Sequence, residues 1–264
     1  MIRIPKELEL DWSYVEKKIT NELSNYALSH GIENLIVCLS GGIDSSLTAY
    51  LTSKAVGKKR VIGLLLPDKH VTPEEDLKDA RYIVKSLGIK SMEMEISDIV
   101  EEVIKKYPLA RKNKNAFGNV RARVRPILAY AVANCSNGMV VGTSNKTEFL
   151  LGYFTKYGDG AADILPIADL YKTQVRKLAE YLGIPKRIIL KKSSPRLLPN
   201  QFAEEELGIN FETADRILFW FEKGLSKKEI ERKTGASKKL IDYILERVER
   251  NEHKRKMPPI IKIS

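Results

Sequence analysis

Residues 35–46 read LIVCLSGGIDSS, and this stretch decides the fold of the chain. Its first part, from Leu35 to Leu39, is apolar and rich in β-branched residues, which is typical of a buried strand. A Ser-Gly-Gly turn follows, and Leu47 and Leu51 then recur at the spacing of one helical face. Because the first turn of a helix leaves its N–H groups unpaired, a strand, a glycine turn and a helix in this order predict an anion-binding turn.

Two glycines and three serines suit this turn to phosphate. Gly41 and Gly42 let the main chain approach an anion without a Cβ in the way. The hydroxyl groups of Ser40, Ser45 and Ser46 can add hydrogen-bond donors. We therefore expect a phosphate group to bind between the strand and the helix.

An acid, Asp44, stands where the common phosphate loop carries a lysine. A carboxylate beside a polyphosphate is explained if it holds Mg²⁺, because that ion prefers oxygen ligands. The alternative is that Asp44 only caps the helix, which is the usual role of an aspartate at a helix start. From this turn alone, both interpretations of Asp44 stay open.

Strands and helices alternate through the first part of the chain. The apolar patterns predict strands at 34–39, 60–66, 91–96 and 139–142, and helices at 44–56, 72–88, 98–107 and 119–133. Such alternation predicts an α/β fold with a doubly wound parallel sheet, and we expect five strands in a Rossmann-like arrangement. Since ligands bind at the carboxyl ends of such strands, the loops that follow the four predicted strands should meet at one site.

Local signals refine three of the helices. Residues 72–75, Thr-Pro-Glu-Glu, predict a helix start at which Thr72 caps and Glu75 completes a capping box. Pro126 should kink the helix that contains it or mark its true start. An apolar stripe along residues 12–29 predicts a further helix, which either covers the sheet or forms an oligomer contact.

Beyond residue 150 the pattern changes. Residues 152–163 are too rich in glycine for regular structure and predict a functional loop. The segment 191–206 has few apolar anchors, and we expect it to be mobile. Further helices are predicted at 169–182, 211–222, 226–234 and 237–250. We expect one domain over 1–264 with a helical C-terminal subregion at about 207–252.

The composition favours a soluble protein with a charged ligand. The 264 residues carry a formal net charge of +11, which suits nucleic acid and small polyanionic substrates equally well. Cys38 and Cys135 lie far apart in apolar runs, so we expect two reduced core thiols and no disulfide. The N-terminal residues do not resemble a signal peptide, and no apolar run reaches membrane-spanning length; the expected location is the cytoplasm.

Motifs in both halves of the chain resemble known enzymes. The SGGIDS string resembles the pyrophosphate-binding loop of the N-type ATP pyrophosphatases. The chain as a whole is similar to the NAD synthetase family, on the strength of Gly142-Thr143, Glu148, the loop 152–160, the Arg-bearing segment 119–125 and the tail His253-Lys254-Arg255. This resemblance implies that ATP adenylates the nicotinate carboxylate of deamido-NAD, that pyrophosphate leaves, and that ammonia gives NAD.

The resemblance also implies roles for individual residues. The residues implied to bind ATP are Cys38, Leu39, Ser40, Gly41, Gly42, Ile43, Asp44, Ser45, Thr143, Lys172 and Ser194. Those implied to bind deamido-NAD are Arg123, Lys156, Asp163, His253 and Lys254. Asp44 and Glu148 would share Mg²⁺ as the cofactor. No side chain is an obvious nucleophile or base, which fits a reaction driven by positioning and charge stabilisation. A homodimer without a nucleic-acid or membrane partner is implied as well.

Three residues depart from the family pattern. Pro126 stands where the family more often has Met, and Arg196 and Ala203 stand where acids are common.

Two rival functions remain open. Residues 228–241 are similar to a helix-turn-helix, so that a DNA-binding regulator is conceivable. The other rival is a different ATP pyrophosphatase, such as a tRNA-modifying or GMP-forming amidotransferase.

Overall fold

The computed structural model describes residues 2–263. A parallel sheet of four strands, in the order β3-β2-β1-β4, lies at its centre. The strands are β1 (Asn34–Cys38), β2 (Val61–Leu65), β3 (Lys90–Glu93) and β4 (Gly138–Val141). The helices around the sheet are α1 (Trp12–Ser29), α2 (Ile43–Val56), α3 (Glu74–Leu87), α4 (Ser97–Lys106), α5 (Leu109–Lys112), α6 (Lys114–Cys135), α7 (Lys146–Leu151), α8 (Lys172–Tyr181) and α9 (Lys186–Ile189). Those that follow are α10 (Ala203–Leu207), α11 (Phe211–Glu222), α12 (Lys227–Thr234) and α13 (Lys238–Arg250).

Successive residues of β1 enter different apolar cores, because strand side chains alternate between the two faces of a sheet. Leu35 and Val37 belong to a core that α1, α2, α3 and α8 complete. Ile36 belongs to a second core, which α4 and α6 complete on the other face. The predicted doubly wound α/β sheet is therefore confirmed.

The expected number of five strands is wrong. After β4 the chain makes only an isolated parallel bridge, between Val141 and Ile164. Pro166 follows two residues later, and because proline has no N–H group it cannot extend a ladder of hydrogen bonds. The segment that would form a fifth strand is thus reduced to a single bridge.

Two predicted helix starts differ in the structure. Helix α3 begins after Pro73 without a side-chain cap, so the predicted capping box is wrong. The hydroxyl of Thr72 instead accepts a hydrogen bond of 3.0 Å from the N–H of Asp68. Pro126 lies inside α6 and does not mark its start, because Asn113 caps that helix thirteen residues earlier with a 3.0 Å bond from the N–H of Ala116.

The apolar stripe of α1 covers the sheet. Leu23 and Ala27 are buried in the first core, and Trp12, Val15 and Ile19 pack against it. Of the two roles left open for this helix, the structure therefore supports cover for the core.

The C-terminal helices form a third apolar core of their own. Ile230 of α12 and Ile241 and Ile244 of α13 are fully buried in it. Gly235 ends α12 in the left-handed conformation with φ of +72°, as expected of a glycine at the turn between two helices. Within residues 2–263, no helix combines the length and the apolar character that a membrane span requires.

Candidate active site

The turn between β1 and α2 needs glycine at one position. Gly41 has φ of +74°, and a Cβ there would lie 2.0 Å from the carbonyl oxygen of Asp76, so no other residue fits without moving the turn. Ser45 and Ser46 donate their hydroxyls to the carbonyl of Gly42 at 3.1 and 2.7 Å. These two hydroxyls therefore brace the turn, whereas the sequence had suggested free donors for an anion.

Asp44 does not cap its helix. The N-cap of α2 is Gly42, and no side chain caps this helix. Instead, Asp44 Oδ1 accepts a 2.9 Å hydrogen bond from the side chain of Asn145, and Oδ2 lies 2.5 Å from Lys172 Nζ. The capping interpretation is wrong, because the carboxylate faces α7 and α8.

Lys172 is the first residue of α8 and lies between two acids. Its side chain is only 1% exposed, and Nζ is 2.5 Å from Asp44 and 3.3 Å from Glu148. Burial alone would lower the pKa of Lys172, but the two carboxylates outweigh it and hold that pKa above its ordinary value. Burial raises the pKa of Glu148 to about 7, against the opposing effect of Lys172. The site is thus a buried cation shared by two carboxylates.

These two carboxylates suit a divalent cation in chemistry, since both already converge on one positive charge. No group of three or more His, Cys, Asp or Glu side chains able to hold a metal occurs in the described part of the chain. Mg²⁺ is commonly held by one or two carboxylates, with water and substrate phosphates as its other ligands. Asp44 and Glu148 therefore fit a magnesium ion that arrives with a polyphosphate.

The residues predicted to bind ATP are brought together around one cavity. It is lined by Cys38, Leu39, Ser40, Gly42, Ile43, Asp44, Ser45, Thr143, Lys172 and Ser194, together with Glu148. Gly41 is the exception, and only its neighbours line the space. The loops after β1, β2 and β4 reach this cavity, but the loop after β3 does not. The expectation that all four loops meet is wrong, because β3 is an edge strand, separated from β1 by β2.

Three of the residues predicted to bind deamido-NAD, Arg123, Lys156 and His253, are connected by hydrogen bonds. Arg123 is exposed and donates to the carbonyl of Lys156 at 3.3 Å. The ammonium group of Lys156 donates to the carbonyl of His253 at 3.0 Å. Lys254 donates to the carbonyls of Gly152 and Phe154 at 2.7 and 3.0 Å.

Asp163, the fifth of these residues, lies elsewhere. Its carboxylate accepts from the backbone N–H of Val140 at 2.7 Å and from the hydroxyl of Tyr130 at 3.1 Å. These contacts tie the segment after the glycine-rich loop to β4 and α6. In the structure Asp163 therefore has a bracing role, and its contact with a substrate stays a prediction.

The glycine-rich loop 152–163 contains no helix or strand, as predicted. Its order comes from polar contacts: Asp159 accepts from the N–H of Thr155 at 2.8 Å, and the Thr155 hydroxyl donates to Asn119 at 2.7 Å. Tyr153 and Asp159 of this loop line both the first cavity and a second one, whose lining includes Asn119, Thr155, Arg247 and Lys254. Of the predicted deamido-NAD residues, only Lys254 lines either of these two cavities.

The two cysteines differ from the expectation in one respect. Both are free, but Cys135 is exposed at the end of α6, so it is not a core thiol. Cys38 lines the first cavity, and burial raises the pKa of its thiol to about 11. A thiol with a pKa this high is a poor nucleophile at neutral pH.

Two residues that support the site were missed at the sequence level. Asn145 caps α7 by accepting from the N–H of Glu148 at 3.0 Å, while its other side-chain atom reaches Asp44. The spacing of Asn145 and Glu148 matches a helix-start pattern and was a usable signal. Asp215 of α11 is fully buried and accepts from the hydroxyl of Thr147 at 2.5 Å and the N–H of Thr173 at 2.8 Å. Nothing in the sequence around Asp215 indicates this contact.

Comparison with known proteins agrees with the geometry. The family model described as NAD synthase matches residues 15–258. The NH(3)-dependent NAD(+) synthetase of Hyperthermus butylicus is 45% identical over 98% of this chain and 94% of its own length. Among solved structures, the NH3-dependent NAD synthetase of Campylobacter jejuni is similar with a TM-score of 0.81, 30% identity and coverage of 96% of this chain and 100% of that one. The NMN synthetase of Francisella tularensis is similar with a TM-score of 0.85, 32% identity and coverage of 97% and 100%.

Proposed function

The chain belongs to the NAD synthase family, and from that premise we propose that it uses ATP to join ammonia to the nicotinate carboxylate of deamido-NAD. The resemblance to NAD synthetase inferred from the motifs is thereby confirmed, and so is the class of enzyme, a ligase that forms a C–N bond. The finer steps, the metal and the residue roles are proposals that rest on the geometry of the site.

The observation that carries the proposal is the buried Lys172 between Asp44 and Glu148, beside the glycine turn and in one cavity. The N–H groups of the turn would hold phosphate oxygens, and Lys172 would supply a positive charge near them. Asp44 and Glu148 would hold Mg²⁺, which neutralises phosphate charge when bound. These are the parts that a reaction with pyrophosphate as leaving group requires.

In the proposed reaction a carboxylate oxygen of deamido-NAD attacks the α-phosphorus of ATP. The bond from that phosphorus to pyrophosphate breaks, and the acyl-adenylate forms. Ammonia then attacks the carboxyl carbon, loses a proton to solvent and displaces AMP. The chain's own residues position the reactants and stabilise charge, which is how a site without an evident nucleophile can accelerate the reaction.

Arg123, Lys156, His253 and Lys254 are proposed to bind deamido-NAD. Cations suit its pyrophosphate and its carboxylate. The hydrogen bonds that already connect Arg123 to Lys156, and Lys156 to the backbone of His253, support a shared role. Binding would require the side chains of Arg123 and Lys156 to exchange carbonyl partners for anionic ones.

A second candidate substrate is the mononucleotide, because the similar structure from Francisella tularensis is described as an NMN synthetase. The test is an assay with ATP, Mg²⁺ and ammonium, in which deamido-NAD and nicotinate mononucleotide are supplied separately. We expect NAD to form from deamido-NAD at a kcat/KM at least tenfold above that for the mononucleotide. A preference for the mononucleotide would replace the proposed substrate, and turnover of neither would contradict the proposal.

The same preparation tests the rival functions. Binding to tRNA and to duplex DNA at physiological salt should be absent, whereas deamido-NAD should bind. The cation-rich α12 and α13 bury their apolar faces in the third core, which favours a structural role for the helix-turn-helix pattern.

A homodimer in the cytoplasm remains part of the proposal. Twofold symmetry is the commonest closed arrangement of identical chains. Light scattering at micromolar concentration should give twice the 29.9 kDa mass of one chain. A fully active monomer would contradict the dimer.

A further inference from the structure

Besides Lys172, the cavity is lined by the cations Arg125, Lys191, Lys192 and Arg196, and two of these contact Asp76 beside the phosphate turn. Lys191 and Arg196, called here the outer cation pair, come from the segment between α9 and α10. Lys191 Nζ donates to the carbonyl of Gly41 at 3.1 Å, so its charge lies directly against the turn. An anion bound to the N–H groups of the turn would therefore lie close to Lys191.

Asp76 contacts both members of the outer cation pair, and Lys191 also pairs with Asp79 at 2.5 Å. Asp76 lies 3.0 Å from Lys191 Nζ through Oδ1, and it accepts from Arg196 Nε at 2.6 Å through Oδ2. The backbone carbonyl of Asp76 also packs against Gly41, where a Cβ would meet it at 2.0 Å. Asp76 thus connects the glycine turn to two cations that lie 115 and 120 residues after Asp76 in the chain.

The guanidinium of Arg196 has hydrogen-bond donors that have no partner within residues 2–263. Within residues 2–263 its only hydrogen bond from the guanidinium is the one from Nε to Asp76, which leaves the Nη atoms without a partner in the cavity wall. Its backbone has φ of +49°, a conformation that a residue other than glycine adopts only where the surroundings hold it. Close by in the segment, Ser193 Oγ is buried without a hydrogen-bond partner in the described chain. Unused donors of this kind suit the oxygens of an anion.

From these contacts we propose that Lys191 and Arg196 bind the pyrophosphate portion of ATP, as a second phosphate-binding group in addition to Lys172. Asp76 contacts both cations but is not required to keep the pair at the turn, since Lys191 also contacts Asp79 and the carbonyl of Gly41. A phosphate that enters the turn takes hydrogen bonds from the Arg196 Nη atoms and from Lys191. The inference deepens the proposed function, because it assigns two side chains to the leaving group of that reaction.

Binding of magnesium pyrophosphate alone tests the proposal, measured by calorimetry on the full chain. Arg196→Gln and Lys191→Gln should each weaken this binding about 10- to 100-fold, since each loses a hydrogen bond from a charged donor. Arg187→Gln is the matched control. Arg187 pairs at 2.8 Å with Asp79, the acid that also contacts Lys191, but it does not line the cavity, so its variant should bind pyrophosphate as the unaltered protein does.

The variant Asp76→Asn distinguishes two roles of the outer cation pair: binding phosphate, or only fastening the segment to Asp76. If the outer cation pair binds phosphate, this variant loosens Arg196, while Lys191 keeps its contacts with Asp79 and with the carbonyl of Gly41. Pyrophosphate affinity should then stay within about threefold, well short of the loss expected from a charged hydrogen bond. If the pair only fastens the segment to Asp76, Asp76→Asn should lose as much affinity as Arg196→Gln, and that result would overturn the proposal. Arg196→Lys, which keeps the charge, should recover part of the lost affinity and guards against a variant that fails to fold.

The outcome is independent of the identity of the acyl substrate. A protein that makes no NAD but shows the expected pattern with pyrophosphate would leave this inference standing and contradict only the proposed function. If the protein makes NAD but its Arg196→Gln variant binds pyrophosphate normally, the proposed function stands and the role of the outer cation pair is contradicted. Undetectable binding of pyrophosphate to the unaltered protein would also count against the outer cation pair.

Discussion

At Lys172, burial changes the chemistry that a lysine at a helix start ordinarily has. An ammonium group with a side chain 1% exposed must be paired, because an isolated charge in the interior is strongly unfavourable. Asp44 and Glu148 supply that pairing at 2.5 and 3.3 Å. Three residues that are distant in sequence thus depend on one another, because loss of either acid leaves the buried ammonium of Lys172 with one carboxylate partner fewer.

Asp44→Asn and Glu148→Gln should each reduce Mg²⁺-dependent turnover by about 10² to 10³, the usual effect of removing one charge-stabilising group at a reacting centre. Each change keeps the shape of the side chain, so the far-ultraviolet circular dichroism should be unaltered. Asp169→Asn is the control, because the carboxylate of Asp169 is 96% exposed and pairs with Lys146 at the surface. Near-native rates at low Mg²⁺ for both site variants would show that the metal assignment is wrong.

Asp215 should give the protein a distinct pH dependence of stability. Burial raises the pKa of this carboxyl from 3.8 to about 6, against hydrogen bonds that favour its charged form. Between about pH 4 and 6 the folded chain therefore retains a proton that the unfolded chain has lost, so this group's contribution to stability falls as pH rises through the window. The change is on the order of 1 kcal/mol per pH unit.

Thermal unfolding of the unaltered protein and of Asp215→Asn at pH 5 and pH 7 tests this. The advantage in Tm of the unaltered protein over the variant should be greater at pH 5 than at pH 7. Asp169→Asn, which changes an exposed acid, should show no such trend. Parallel curves for the protein and its Asp215 variant would contradict the raised pKa.

On the scale of elements, the site is built from the first turns of three helices. Helix α2 presents Asp44, α7 presents Glu148 and α8 presents Lys172. The first turns of α7 and α8 are joined through the buried Asp215 of α11, which contacts a threonine in each. The helical C-terminal region therefore fixes the first turns of α7 and α8 relative to each other.

The segment 191–206 is held to the rest of the chain more firmly than its composition suggested. Lys191 and Arg196 pair with Asp76, and Arg121 donates to the carbonyl of Leu197 at 2.9 Å. Its last residues form α10, which the sequence did not predict as a helix. The anchors of Lys191, Arg196 and Leu197 are polar, whereas Ala203 near the end of the segment is buried in the third apolar core.

We expect this segment to close further over bound nucleotide, since polar anchors exchange partners at low cost and lids of this kind commonly close on substrate. Limited digestion with trypsin should cut after Lys192 or Arg196 in the free protein and be at least severalfold slower with ATP and deamido-NAD. Cleavage after Lys262 in the exposed tail, away from the proposed substrate residues, is the internal control and should not change. Equal cleavage of the segment in both states would contradict a closing lid.

On the scale of the whole molecule, the order β3-β2-β1-β4 places the carboxyl end of β1 beside that of β4. This is the point at which the chain changes direction across the sheet, and ligands in such sheets bind there. The phosphate turn follows β1, and Thr143 follows β4, so both enter one cavity. Of the two cysteines, Cys38 lines this cavity and Cys135 is exposed at the end of α6.

The chain should therefore use free ammonia and not glutamine. Release of ammonia from glutamine usually requires an activated cysteine nucleophile. Burial raises the pKa of Cys38 to about 11, and Cys135 is exposed with no hydrogen bond to a histidine in the described residues. We expect NAD formation with ammonium to exceed that with ammonium-free glutamine by at least 100-fold. Comparable rates with glutamine, abolished by Cys38→Ala or Cys135→Ala, would contradict this.

Local patterns were enough to predict the layered sheet, the helices on both faces and the phosphate turn. These features follow from hydrophobic periodicity and from glycine at positions that other residues cannot occupy. Both signals can be read directly from the order of the residues. The residues predicted to bind ATP, apart from Gly41, do line one cavity, and their contact with ATP stays a prediction. Those of the turn are neighbours in the chain, whereas Thr143, Lys172 and Ser194 were assigned from the resemblance to a family.

Only the tertiary structure decided which charges meet. The pairing of Lys172 with Asp44 spans 128 residues, and the contact of Asp215 with Thr147 spans 68. Such pairs depend on how helices pack, and a buried acid looks like any surface acid in a sequence. The loss of a fifth strand and the exposure of Cys135 have the same origin. Hydrogen-bond partners and burial are properties of the packed chain, and no local pattern of residues encodes them by itself.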